Sequence, residues 1–175
     1  MSGGVELRGF DEFLRCIEDS PDKLERSVIL RARKLAEDVA GQARQGAPVK
    51  DGRLRNSLQS FTESRGGEIV GGVRTSYDVA IFHELGTGPV GDANPHPAEA
   101  ELNPKRRPDG WTYWSDEVAR ERGEDENGER NGFVYTEGVP AKAFMYNALK
   151  ASEDKIMESL GAAIEEAMDA EVVRE

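Results

Sequence analysis

The chain has 175 residues, of which 37% are hydrophobic and 33% are charged. This composition is too polar for a membrane protein and too apolar for a disordered one, and the length suits one domain, residues 1–175, with its own core. The net charge is −11 and the sequence pI is near 4.8, which argues against a protein that wraps nucleic acid through a basic surface.

The acidic excess belongs to the second part of the chain. Residues 1–60 carry eleven basic and ten acidic side chains, whereas residues 61–175 carry twelve basic and twenty-four acidic ones. Cys16 is the single cysteine, which excludes an intrachain disulfide and a thiolate metal cluster. The first residues lack a signal-peptide pattern, and no apolar run reaches the ~20 residues of a membrane span. We therefore expect synthesis in an aqueous compartment.

Two helices are predicted in the first third of the chain. Within the N-terminal arm, residues 1–20, a short helix at 10–18 would place Phe10, Phe13, Leu14 and Ile17 on one side. A long helix follows over residues 22–45, with Pro21 in the first turn and Gly46 at the end. Its apolar stripe has spacings of three and four residues and comprises Leu24, Val28, Ala32, Leu35, Val39 and Ala43.

The middle of the chain predicts strands. Residues 57–64 and 68–75 flank Arg65-Gly66-Gly67, which suits a β-hairpin, and Gly71 and Gly72 suggest a bulge or a close backbone approach. Residues 77–85 fit a strand or a short helix equally well. Residues 88–110 contain five prolines and are expected to be irregular.

The last part of the chain predicts two more strands and a second long helix. WTYW at 111–114 and GFVYT at 132–136 are the strands. They are joined by a solvated acidic segment that has room for one helical turn and that completes a long loop over 88–131. The helix at 141–170, about 45 Å long, would carry Met145, Leu149, Ser152, Ile156, Leu160, Ala163 and Ala167 on one face. Its far end or the Glu-rich stretch EEAMDAEVVRE at 165–175, which includes the tail at 171–175, is expected to project or to meet another subunit.

These elements predict an α+β fold. We expect an antiparallel sheet of about four to five strands, packed by a long N-terminal helix and a long C-terminal helix, with the core over residues 21–150.

Three segments, in this order, resemble the signature of the siphophage tail-component family. APVKDGRLRNSL at 47–58 is similar to the family's Gly-x-Leu-Arg-x-Ser stretch after the first long helix, and VGGVRTSYDVAIFHELGTG at 70–88 is similar to its strand that leads to Gly-Thr. GVPAKAFMYNAL at 138–149 resembles its Pro-x-x-Phe entry into the final helix. The chain departs from the family at Asp78 and Leu85, and segment 89–131 is longer than in the family.

The resemblance implies a structural virion protein of the tail completion or head-to-tail connector (neck) type. Such a subunit forms a ring, expected to be a hexamer, and lies between a head-completion or neck ring protein and a tail terminator or tail tube protein. DNA would pass through the lumen without sequence-specific binding. The protein would be made in the host cytoplasm and end in the virion.

The motif residues are expected to hold the fold or to form subunit contacts. Gly86, Thr87 and Gly88 form a sharp turn and lack the Lys-Ser/Thr of a phosphate loop. Glu84 follows His83, but a zinc-protease motif fails because residue 87 is threonine.

Arg53 and Arg55 flank Leu54. In an extended segment both arginines would share one face and Leu54 would enter the core, although an ordinary solvated pair is an equal alternative. An ion pair of Glu84 with Arg53 or Arg55 is expected, because partly buried carboxylates are usually paired.

Aromatic residues are the last candidates. Trp111, Tyr113 and Trp114 suit core packing and interface packing equally. Pro140 would start the last helix and aim Phe144 and Met145 at the sheet, and Tyr77 belongs to the second family segment.

No catalytic constellation can be assembled with two histidines, so the sequence predicts neither an enzyme nor a cofactor or metal site. Two alternatives stay open. One is an acidic regulatory protein that mimics DNA or acts like an antirepressor on a host factor. The other is a hydrolase in which His83, Glu84 and His96 meet in one pocket.

Overall fold

The computed structural model describes the backbone of residues 21–172 and the side chains of residues 25–166. The predicted short helix at 10–18 and tail at 171–175 therefore lie outside the described residues, except for the backbone of Glu171 and Val172. The element order is α1 (Pro21–Gly46), α2 (Arg53–Ser57), β1 (Gln59–Arg65), β2 (Glu68–Arg74), α3 (Val79–Leu85), α4 (Gly88–Ala93), α5 (Glu99–Leu102), β3 (Trp111–Trp114), α6 (Asp116–Arg122), β4 (Phe133–Thr136) and α7 (Phe144–Val172).

The two long helices pack side by side and antiparallel. Gly46 at the end of α1 lies against Phe144 at the start of α7, and ion pairs join Asp38 to Lys155 (2.6 Å) and Arg31 to Glu166 farther along. The last helix is therefore paired with α1 up to Glu166, because α1, with 26 residues, nearly matches its 29. The predicted projection or subunit contact of its far end and tail concerns side chains that lie mainly outside the described residues.

The apolar stripe of α1 is confirmed over its C-terminal half, Val28 and Ala32 are half-buried, and the side chain of Leu24 lies outside the described residues. Leu35, Val39 and Ala43 are buried, and Ala36 and Ala40 are buried beside them. On α7 the predicted face is partly wrong, because Leu149 is exposed and Ala148 takes the inward position. Ser152 and Ala163 are buried as predicted.

The first hairpin forms as the sequence predicts. β1 and β2 pair in regular antiparallel register from Gln59↔Arg74 to Arg65↔Glu68, and Gly66 and Gly67 both have positive φ, as a tight two-residue turn requires. Gly71 lies under α1, where an added Cβ would be 3.5 Å from the Ala32 carbonyl oxygen. The hairpin thus packs directly on α1 at this position, and the register has no bulge.

The strands do not form one sheet of four to five. In the described part of the chain they form two separate two-stranded sheets, β1-β2 and β3-β4. The physical reason is the segment between them: residues 79–85, which could have supplied a fifth strand, form α3 and pack against α7. The mixed helix and strand character is confirmed, whereas the single sheet is wrong.

The long loop is also more ordered than expected. Residues 88–110, predicted to be irregular, contain the short helices α4 and α5. Pro89 lies in the first turn of α4, where its missing N–H costs nothing. The acidic connection between β3 and β4 contains α6, capped by the Ser115 hydroxyl, which accepts a hydrogen bond from the Val118 N–H.

One apolar cluster joins the C-terminal half of α1 to α2, α3 and the first turns of α7. Its buried members are Val39, Ala43, Ala47, Leu54, Leu58, Ala80, Phe144 and Ala148, with Val73, Tyr77, Met145 and Ile156 packed around them. Between residues 21 and 172, no helix has the length and apolar character needed to cross a membrane.

Candidate interaction surface

Glu84 ties α3 to the beginning of α7. Its two carboxylate oxygens accept hydrogen bonds from the backbone N–H groups of Met145 and Tyr146, both at 2.9 Å. The first turn of a helix needs such an acceptor, and Ala143, which precedes the helix, has no side-chain oxygen to supply it. Glu84 is therefore a helix cap contributed from about sixty residues earlier in the chain.

His96 completes this junction. Only 3% of it is exposed, and its Nδ1 accepts a hydrogen bond from the Ala98 N–H at 3.0 Å. The proton must then be on Nε2, which lies 3.3 Å from Glu84 Oε1 and donates to it. The ring also makes an edge-on contact with Tyr146, with 5.0 Å between ring centroids. His96 thus orients the capping carboxylate.

The predicted partners of Glu84 are wrong. Arg53 pairs with Asp51 (3.1 Å), and Arg55 donates to the Ala47 carbonyl at 3.4 Å. The extended segment expected around them is wrong as well, since they lie on α2 and a helix turns successive side chains by about 100°. Leu54 between them is buried in the core.

The Gly86-Thr87-Gly88 turn follows directly after α3. Thr87 forms an isolated antiparallel bridge with Val139, with its N–H donating to the Val139 carbonyl at 2.8 Å. Gly86 has a φ of 75°, and an added Cβ would lie 2.7 Å from the Ala141 backbone nitrogen. This turn holds α3 against the segment around Pro140 that leads into α7.

Arg106 binds the long loop to the carboxyl end of α3. Its side chain is 4% exposed and makes a two-pronged ion pair with Glu99, at 2.5 and 2.8 Å. It also donates to the carbonyls of Leu85 and Gly86, at 2.5 and 3.3 Å. These bonds satisfy the carboxyl end of α3 and raise the pKa of Arg106, chiefly through Glu99, while the pKa of Glu99 is lowered chiefly by Arg106.

The elements held in this way form the walls of an apolar groove of about 910 Å³. Val79 and Phe82 recur at helical spacing on the outer side of α3, with Ile81 beside them, because Ala80 and Glu84 occupy its inner side. Ile81 is 56% exposed and Phe82 is 51% exposed, so two adjacent large apolar side chains form an exposed patch on α3. The apolar groove is lined principally by Val79, Ile81, Phe82, Leu85, Trp111 and Val139.

The charges that line the groove are all basic. Lys105, Arg106 and Arg107 lie along it, and no acidic side chain lines it although the chain has 34 acids. Arg107 lies 5.7 Å from the centre of the Trp111 ring, a cation–π contact. His83 also lines the groove, and burial, with the nearby Lys142, lowers its pKa.

The β3-β4 hairpin presents aromatic side chains on both faces. Trp111 and Tyr113 face the groove, whereas Trp114, Phe133 and Tyr135 lie on the opposite face and are exposed. Trp114 and Phe133 make an edge-on contact with 5.2 Å between ring centroids. Of the two expectations for the tryptophan cluster, the structure thus supports a surface available for contacts over core packing for Tyr113 and Trp114.

The other predicted site residues lie around this surface. Tyr77 packs at the edge of the core before α3, and Phe144 is buried at the start of α7. Pro140 does not start that helix, which begins four residues later, because Ala143 with a φ of 47° interrupts the backbone. The sequence did not reveal Arg106, the helix cap by Glu84 or the orientation of Glu84 by His96. For Arg106 and His96 the available signal was their position in an unusually long loop.

The structure also bears on the hydrolase alternative. His96 and Glu84 are in contact, but His83 lies in the apolar groove, on another side of α3. Both oxygens of Glu84 already accept backbone N–H groups, so their geometry is that of a cap. Among the side chains of residues 25–166, no group of three or more His, Cys, Asp or Glu residues is placed to hold a metal ion.

The fold and the surface thus define a small α+β protein with apolar faces open for protein contacts. Residues 11–86 match the family model described as "Bacteriophage HK97-gp10, putative tail-component". The resemblance to siphophage tail components is therefore confirmed, and the match includes the first family segment and nearly all of the second. No curated protein and no solved structure matches the chain.

Proposed function

We propose that this protein is a ring-forming subunit of a siphophage tail completion or head-to-tail connector (neck) complex, which joins the tail to the head. The observation that carries the proposal is the match of residues 11–86 to the phage tail-component family. The whole chain would act as one domain, and its work would be geometric: identical subunits close a ring around the DNA path.

The exposed apolar surfaces support a role in assembly. The groove beside α3 and the outer face of the β3-β4 hairpin both expose large apolar side chains, and they belong to different sides of the hairpin. A ring subunit needs two different faces that contact its two neighbours, since a heterologous contact repeated around an axis closes a ring. We assign Trp111 to the first of these faces and Trp114 to the second. Arg53, which is exposed on α2, and Arg55, which is half-buried, would lie at the edge of a subunit contact.

The charge supports passage of DNA rather than binding. Residues 61–175 have twenty-four acidic and twelve basic side chains, and a lumen lined by this part would repel phosphates. In the proposed hexamer, DNA would slide through without sequence-specific contacts. The partners would be a head-completion or neck ring on one side and a tail terminator or tail tube protein on the other.

The regulatory DNA mimic is the weaker alternative. A mimic presents rows of carboxylates that are free to replace phosphates, whereas several acids here are bound to neighbouring cations. Glu63 pairs with Arg65 and Arg74, and Glu124 pairs with Arg130. These pairs interrupt the rows of free carboxylates that a mimic would present at these two positions.

Cryo-electron microscopy of intact virions tests the proposal. We expect a closed ring of this chain between the portal and the first tail ring, with six copies, and acidic side chains on its inner wall. Absence of the chain from purified particles would reject the connector function and favour the regulatory alternative. A ring with a basic inner wall would reject the repulsive lumen alone.

A further inference from the structure

We propose that the apolar groove beside α3 binds the N-terminal arm of a neighbouring copy, with the apolar side of residues 10–18 seated against Ile81 and Phe82. This inference rests on the proposed ring, because it names the contact that links one subunit to the next. Neither the family match nor the charge of the chain assigns this contact.

The shape and chemistry of the groove define its occupant. A cavity of about 910 Å³ with mainly apolar walls, flanked by half-exposed aliphatic and aromatic side chains, suits the apolar side of a short amphipathic helix. The arm supplies such a segment. Its sequence over residues 10–18, FDEFLRCIE, predicts a helix with Phe10, Phe13, Leu14 and Ile17 on one side.

The charges of the two partners are complementary. Residues 10–19 contain four acidic side chains and one basic side chain, whereas the groove is lined by three basic side chains and no acidic one. Arg106 is already bound to Glu99, which leaves Lys105 and Arg107 at the exposed rim. In a chain with a net charge of −11, an all-basic rim marks a surface suited to an acidic partner.

The geometry of the long helices excludes the arm of the same chain. Helix α1 is about 39 Å long, at 1.5 Å per residue over 26 residues. The groove lies at the end of α1 where Gly46 contacts Phe144, because Glu84 binds the start of α7 there. The arm joins the opposite end, at Pro21.

The connection is too short to span this distance. Three residue steps separate Glu18 from Pro21, and they extend over at most about 11 Å. Even a fully extended chain from Phe13 to Pro21 would cover only about 29 Å. With residues 10–18 in the predicted helix, an arm seated in the groove therefore belongs to another copy. Each subunit would give one arm and receive one, a head-to-tail contact that closes into a ring when repeated.

Cys16 allows a direct test because it is the single cysteine and would border the apolar side of the arm helix. The full chain carrying Ile81→Cys is oxidised at increasing protein concentration and separated on non-reducing gels. We expect disulfide-linked dimers and a ladder of higher species that increase with concentration and disappear when Cys16→Ser is added. The matched control is Met157→Cys, a 73% exposed position on α7 away from the groove, which should give no ladder.

The outcomes separate the contact from the proposed function. No ladder with Ile81→Cys, equal ladders at both positions, or only an intrachain disulfide would overturn the arm exchange. Charge reversal at Lys105 and Arg107 in the Ile81→Cys chain should reduce ladder formation, and an unchanged ladder would refute the electrostatic part. Absence of the chain from virions would reject the connector function without affecting the disulfide result, whereas a ring in virions whose groove is empty would reject the arm exchange alone.

Discussion

Replacing Glu84 should destabilise the protein more than any exposed carboxylate does. Glu84→Ala removes two hydrogen bonds of 2.9 Å to the first turn of α7 and the contact with buried His96. A hydrogen bond to a charged group contributes about 1.5–3 kcal/mol, and water can replace part of the loss at a helix end. We therefore expect the free energy of unfolding to fall by about 3–4 kcal/mol.

Glu84→Gln should fall between the wild type and Glu84→Ala. The amide keeps one acceptor oxygen but places its NH₂ group against a second N–H donor, for a loss of about 2 kcal/mol. Urea unfolding followed by circular dichroism measures both losses. Glu158→Gln, at an exposed position on α7, is the control and should change stability by less than about 0.5 kcal/mol.

The capping argument predicts the order in which these variants lose stability. We expect Glu158→Gln to be the mildest change and Glu84→Ala the most severe, with the same order for thermal midpoints. A loss below about 1 kcal/mol for Glu84→Ala would refute the reasoning, because even the smallest value for one charged hydrogen bond exceeds it.

Three further substitutions test the elements that hold the groove. Arg106→Lys keeps the charge but loses the two-pronged pair with Glu99, so the free energy of unfolding should fall by about 2 kcal/mol in urea titrations. Gly86→Ala should cost about 3 kcal/mol by the same assay, because its φ of 75° and the nearby Ala141 nitrogen leave no room for a Cβ. The pKa of His83 is lowered in the folded protein, so the unfolded chain binds more protons near and below pH 6.5. The free energy of unfolding should therefore decrease as the pH falls through that value. His83→Gln should reduce this decrease, measured as thermal midpoints at several pH values.

Each of these predictions has a control and a contrary outcome. For Arg106→Lys the control is Arg120→Lys on the exposed side of α6, and equal effects at both positions would contradict the two-pronged pair. For Gly86→Ala the control is Gly161→Ala, where an added Cβ meets no atom within 4 Å; a neutral Gly86→Ala would contradict the close approach. For His83, an identical pH dependence of wild type and His83→Gln would show that other groups cause the acid loss.

The helices and hairpins could be predicted because their signals are local. The stripe of Leu35, Val39 and Ala43 follows the period of a helix, and Gly66-Gly67 has the backbone freedom that a tight hairpin turn needs. The arrangement of the strands could not be predicted in this way. Two hairpins leave their edges open, and whether those edges pair depends on the elements between them, which here are helices.

The bonds of Glu84 and Arg106 could not be predicted either, because they also join residues that are far apart in the sequence. Glu84 was expected to find an arginine, because charge pairing is the common fate of a partly buried carboxylate. It instead caps a helix whose preceding residue, Ala143, cannot, and no spacing in the sequence connects two positions about sixty residues apart. Likewise, Arg106 gains its role only when the loop folds back onto the carbonyls of Leu85 and Gly86.

These long-range bonds explain why the groove can stay apolar and open. A seven-residue helix such as α3 is not stable by itself, and its outer side contributes little packing because Ile81 and Phe82 remain exposed. Glu84 at its inner side and Arg106 at its carboxyl end hold it instead. Since polar bonds fix the inner side and the carboxyl end of the helix, its apolar outer side stays exposed. The proposed ring subunit would need this separation of folding contacts from binding contacts, because it would fold before it assembles.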